Sequence, residues 1–222
     1  MITFKQLIEI LSKVYKNKGF KKAGQTYRLK QDNNIAIINL QKSRDYIPDG
    51  FKFTINIGIH FKSLYYFDTG REINTPVLID DCQWRTRIGE LMPIKMDYWW
   101  RVQESSNLEL LSSELTDNFN SILYPAIQDR ISDKLYINEL LKNNIIIGND
   151  TYKRLMNLCS FFCIYDDNRL CDTLEELKLY CSKNRLDYSY QSILAQIKSW
   201  KNKPEGQCKW GFFEDSYKWV MC

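Results

Sequence analysis

Hydrophobic positions recur along this chain at two different spacings, and the switch between them separates a sheet-forming front from a helical back. The clearest alternation runs from Phe53 to Phe61. Phe53, Ile55, Ile57, Ile59 and Phe61 fall on one face, and Thr54, Asn56, Gly58 and His60 on the other. This is the pattern of a strand that packs on one side only. Upstream, Ala36, Ile38 and Leu40 form the apolar set of another strand, whose opposite face carries Ile35, Ile37, Asn39 and Gln41. Before it, Tyr27 and Leu29 oppose Thr26, Arg28 and Lys30. Asp32-Asn33-Asn34 tolerates left-handed backbone and predicts a tight hairpin, and Pro48-Asp49-Gly50 marks the next loop. Together these segments predict an antiparallel meander with one packed and one polar face.

Helical spacing precedes and follows the meander. Thr3 with Gln6 forms a capping box, and Phe4, Leu7, Ile8, Leu11, Val14 and Tyr15 make one apolar stripe that stops at Gly19. Ser63 to Asp81 reads as a long irregular connection, and two more strands are expected at Gln83 to Leu91 and Met96 to Gln103. From Glu104 the stripe Leu108, Leu111, Leu115, Phe119, Ile122 and Leu123 is helical, with Pro125 expected to end or kink it. Shorter helices are predicted at about 133–143, 150–165, 173–183 and 188–201, and Asp172 with Glu175 reads as a second capping box. The aromatic-rich end, Gln207 to Cys222, is expected to dock on the body. The fold class is therefore α+β. A sheet of about five antiparallel strands, with the first helix on one face, spans residues 1–125, and a helical extension spans 126–222.

Composition narrows the setting. At 222 residues and 44% hydrophobic content the chain can bury a full-sized core. No apolar run approaches the roughly 20 residues that span a bilayer, and the first residues lack a signal-peptide layout, so a cytoplasmic protein with no membrane partner is expected. Of 31 basic and 27 acidic residues, the stretch through Lys62 holds twelve basic and four acidic, which leaves 19 and 23 for the remainder. The front is thus the part suited to an anionic partner. Seven scattered cysteines, an odd number, do not form a secreted disulfide framework; Cys159 and Cys163 share a helical face in an apolar run and read as small core residues. No metal site or cofactor is expected.

Catalytic patterns are sparse. His60 is the single histidine, and GxSxG, P-loop and GxGxxG sequences are missing. What remains is the polar face of the meander. Gln41, Asn56 and His60 lie on it, and Arg85 and Arg87 of the fourth strand and Arg101 of the fifth, beside Asp97 and Trp99, can join it. Amides, guanidinium groups and an aromatic ring on one surface suit a carboxylate, a phosphate or a peptide. No residue is assigned a catalytic role.

Four segments carry a family resemblance: Gly19-Phe20-Lys21-Lys22, residues 38–43 (INLQKS), residues 53–59 (FTINIGI) and residues 84–89 (WRTRIG) followed by Trp100. Over about residues 1–125 the chain resembles the bacterial family called domain of unknown function 4304. The resemblance implies the fold and brings no activity or site residues with it. The expected function is that of a non-enzymatic interaction protein, an immunity or regulatory factor that binds a protein partner. Two alternatives are nucleic-acid or nucleotide binding by the basic half, through Arg28, Lys30, Arg85 and Arg87, and an enzyme using His60.

Overall fold

The structure, a computed structural model, describes residues 2–73, 75–142 and 150–202. Helix α1 (Phe4–Asn17) starts at the expected capping box, in which Thr3 Oγ1 accepts from the Gln6 amide at 3.2 Å and Gln6 Oε1 from the Thr3 amide at 2.8 Å. Its apolar stripe buries Leu7, Leu11 and Tyr15 against the sheet. Tyr27 ties strand to helix, its hydroxyl donating to the Ile8 carbonyl at 2.9 Å.

The sheet has six antiparallel strands: β1 (Lys21–Ala23), β2 (Thr26–Gln31), β3 (Asn34–Lys42), β4 (Gly50–His60), β5 (Trp84–Arg87) and β6 (Trp100–Gln103). β1 is an addition to the expected meander. Its three residues are all exposed, so no buried side imposes an alternation that could be read. It folds back on β2 through Gly24, whose φ of +63° a β-carbon would oppose. The hairpin between β2 and β3 turns at Asp32-Asn33, Asp32 being left-handed as expected.

The last two strands correct the simple meander. β5 ends at Arg87, where Ile88–Leu91 turns into a short helix, α3, and β6 begins only at Trp100. The two do not pair with each other. Both lie end to end on the same edge of β4, β5 opposite residues 56–59 and β6 opposite residues 50–53. Residues 88–99 are thus an excursion from one interrupted edge strand. Gly89 permits it, since a β-carbon there would stand 2.2 Å from the Met96 carbonyl oxygen.

The stretch expected to be irregular after β4 begins with helix α2 (Lys62–Thr69), which buries Ser63, Leu64 and Phe67 and stops at Gly70 in the left-handed region. The run Tyr65-Tyr66-Phe67 hides this helix in the sequence, because aromatics favour strands as readily. A 3-10 turn, Ile79–Asp81, then precedes β5.

Pro125 does not end the next helix. α4 (Leu108–Asn118) passes through a π-turn, Phe119–Leu123, into α5 (Tyr124–Gln128). The Tyr124 amide bonds the Phe119 carbonyl five residues back, and this wider turn directly precedes the proline, which has no amide hydrogen to place. Helices α6 (Asp133–Leu141), α7 (Thr151–Ile164), α8 (Leu170–Lys183) and α9 (Asp187–Lys201) follow close to their expected bounds. Ser132 caps α6 and Asp150 caps α7. The expected Asp172–Glu175 box fails, because α8 starts earlier, at Leu170, and Asp172 already sits in its first turn. Gln207 to Cys222 lies outside the described residues.

One hydrophobic cluster joins front and back. Phe61 at the end of β4 stacks on Tyr136 of α6 with centroids 4.5 Å apart and meets Phe161 of α7 edge-on at 5.9 Å. Beside these rings, the Asp133 carboxylate accepts from Asn34 Nδ2 at 2.7 Å, Ser63 Oγ at 2.5 Å and Tyr165 Oη at 2.6 Å. Sheet, α2, α6 and α7 therefore meet on one carboxylate. Cys82, Cys159, Cys163 and Cys181 are buried free thiols and Cys171 is exposed. Burial pushes Cys159 up to about 12 and Cys163 up to about 11, so these two are packing groups and poor nucleophiles.

Candidate functional site on the polar sheet face

Strand register places all six expected site residues on the face opposite α1. Asn56 pairs across β4 with Asn39 on one side and Arg87 on the other; Gln41 pairs with Thr54, Lys52 with Arg101, Gly58 with Arg85, and His60 with Ile35. The face is not one surface, however. The 3-10 turn and its flanks cover one half and leave the other open.

The covered half is the end of β4 that carries Gly58 and His60. Here residues 75–83 lie over the sheet, with Val77 and Cys82 buried on Ile37 and with Ile35, Ile73 and Ile79 packed around them. Arg28 holds this cap from the sheet, its Nε and Nη2 donating to the Val77 carbonyl at 2.9 and 2.8 Å. At the far end the Phe61 amide donates to Gln83 Oε1 at 2.8 Å. Gly58 leaves the space for Cys82, since a β-carbon there would sit 2.7 Å from its Sγ.

His60 is therefore not a surface group: it is 1% exposed. Its Nδ1 lies 3.1 Å from the Asp81 carbonyl oxygen, its ring is 5.2 Å from that of Tyr65, and its Nε2 has no hydrogen-bond partner. Burial holds its pKa below the ordinary histidine value, with the Asp81 carbonyl and carboxylate pulling weakly the other way. Arg85, also at this end, reaches outward to Asp80 at 2.6 Å.

The open half is centred on Asn56. Its Nδ2 donates to Gln41 Oε1 at 2.9 Å, and its Oδ1 accepts from Arg87 Nε at 3.3 Å. Arg87 Nη1 reaches Asp97 at 2.6 Å, and the same carboxylate oxygen accepts from Trp99 Nε1 at 3.0 Å. The guanidinium carbon also lies 5.2 Å from the centroid of the Trp99 ring, a cation–π distance, with Lys52 Nζ 5.7 Å from it. Lys52 pairs with Asp45. Arg101 extends the row on the exposed edge.

Five of the six expected residues are thus brought to the accessible part or its rim, and His60 is placed beneath the cap. Asp97 and Trp99 belong to the excursion before β6 rather than to the strand itself. Lys52 and Asp45 were missed. The alternation of β4 already put Lys52 beside Thr54 and Asn56, and that was the available signal. Among the described residues, no group of three or more histidines, cysteines or carboxylates is placed to hold a metal ion, and no helix is long and apolar enough to cross a membrane.

Exposed hydrophobic residues flank members of this half in the chain. Tyr46 follows Asp45 in the loop between β3 and β4 and is 88% exposed; Ile94 and Met96, just before Asp97, are 48% and 54% exposed. Arginine and tryptophan on one surface are residue types enriched at protein interfaces.

No curated protein and no solved structure matches the chain. A family model does match residues 11–129, which run from the second half of α1 through all six strands to the end of α5. By this match over more than half its length, the chain belongs to the family described as domain of unknown function 4304.

Proposed function

We propose that the chain is a cytoplasmic, non-enzymatic interaction protein, an immunity or regulatory factor that grips a protein partner on the open half of its polar sheet face. The observation that carries this reading is the bonded set Gln41–Asn56–Arg87–Asp97–Trp99, fixed before any partner arrives. A group already held in place loses little freedom on binding. Arginine and aromatic residues in such settings are the usual centres of protein interfaces.

Charge favours protein over nucleic acid at this face. Arg87 is engaged by Asp97, Arg85 by Asp80, Lys52 by Asp45, and Arg28 by a backbone carbonyl. Phosphate binding draws on cations that are free to displace counterions, and these are committed. Nucleic-acid binding retains a separate basis in Lys13, Lys16, Lys21 and Lys22, which are exposed on α1 and β1.

The test is a photo-crosslinking residue at position 96, used in the native cell. Crosslinking to one protein species, abolished by Lys52→Glu with Arg101→Glu in a folded chain, is the expected result. Crosslinks to RNA or DNA, or a protein crosslink indifferent to the double substitution, would refute the reading.

A further inference from the structure

We infer that residues 75–83 form a proton-operated cap: uptake of a proton by His60 releases the segment and uncovers the Ile35, Ile37 and Gly58 half of the sheet face. The inference stands on the free chain and does not need the partner proposed above.

Geometry carries it. A neutral imidazole has one N–H and one bare nitrogen, and the pocket supplies one acceptor, the Asp81 carbonyl beside Nδ1. With Nδ1 donating there, Nε2 is the bare nitrogen, buried and unpartnered. A second proton would create a buried N–H with no acceptor and a buried charge. The imidazolium is accommodated only by admitting water, and the cap is the movable wall. Its hold is modest: the apolar cluster under it is small and separate from the main core, and its polar ties are Arg28 to Val77, Asp81 to His60 and Gln83 to Phe61.

The charged and titratable groups around the ring do not supply the missing acceptor. From the cap, Asp81 directs its carboxylate to the Leu78 amide at 2.7 Å, Asp80 is paired with Arg85, and Cys82 packs over Gly58. From α2, Tyr65 presents its ring and Lys62 is paired with Glu72. From β3 the neighbour is Ile35. Lys153 of α7, a cation and so no acceptor, is partly buried and feels Arg85, Asp150 and Cys82.

The sign follows from linkage. The closed state binds the proton more weakly than the open one, whose imidazole has the ordinary value of about 6.5, so closure is fully favoured above that pH and loses ground as pH falls below it. The open fraction should therefore rise as pH falls below about 6.5, by no more than about fivefold down to pH 5.5, and level off once the closed-state value is passed.

His60 is the single histidine, so one imidazole resonance reports its titration without assignment. The proposal expects that resonance to titrate below pH 6.5 in the native chain. It also expects the amide protection of Asp81 and Cys82, corrected for intrinsic exchange, to fall with pH as stated while the amides of Ile55 and Ile57 hold. In His60→Gln the pH dependence should vanish. A titration at or above pH 6.5, or cap protection that is flat in the native chain, would overturn the cap, and neither observation depends on the variant folding.

Discussion

The two halves of the polar sheet face share one strand pattern and differ in what lies on it. At the Asn56 end the groups opposite the core are mainly amides and cations that bond to one another and stay half-exposed, with Thr54 buried among them. At the His60 end the same alternation delivers Ile35, Ile37 and Gly58, and a segment from a distant part of the chain covers them. The lesson is that a polar-looking strand face need not be a surface. Two isoleucines and a glycine where polar groups would be expected already mark the half that is covered.

The comparison breaks most easily at Ile37 and Asn39, neighbours on the same face of β3. Ile37 is 0% exposed although it points away from the main core. Ile37→Ala should destabilise the chain by about 2–5 kcal/mol in urea unfolding, as deletion of a buried side chain does. A loss near zero would mean the cap does not pack. Next in size is Gly58→Val, which forces Cys82 and Ile79 away and should cost about 1–3 kcal/mol. The same substitution should raise the accessibility of Cys82 to a thiol reagent, read by peptide mass mapping.

Asp133→Ala leaves three donors short of one acceptor and should cost about 1–3 kcal/mol, measured by thermal or urea unfolding. It lies outside both halves and calibrates them against the junction with the helical extension. The smallest expected change is at the open half. Arg101→Ala and Asn39→Ala should shift stability by no more than about 0.5 kcal/mol, as surface substitutions do. A large loss at either would show that this half is structural and not free for a partner.

Much of this fold was legible because one side of each element is buried. Tyr27, Ala36, Ile38 and the odd-numbered residues from Phe53 to Phe61 are core, as their alternation requires, and the Thr3–Gln6 box starts α1 where the stripe begins. Elements without that asymmetry escaped. β1 has no buried face, α2 presents only two turns of aromatic-rich sequence, and no residue pattern announces the π-turn before Pro125. The candidate site was legible as a face, and Ile35, Ile37 and Gly58 mark its covered half, but the segment that covers it was not legible. Contacts such as Arg28 with Val77 or His60 with Asp81 join residues 49 and 21 positions apart, and no local periodicity encodes them.

The central claim is that the open half of the polar face, rather than the basic edge of the sheet, holds a protein partner. With the crosslinked partner in hand, equilibrium binding compares two double substitutions of equal charge change, Lys52→Glu with Arg101→Glu and Lys21→Glu with Lys22→Glu. The account expects the first pair to weaken binding by about 100-fold or more, within the range for central interface residues, and the second to leave it nearly unchanged. Loss of binding in the second pair with retention in the first would contradict it.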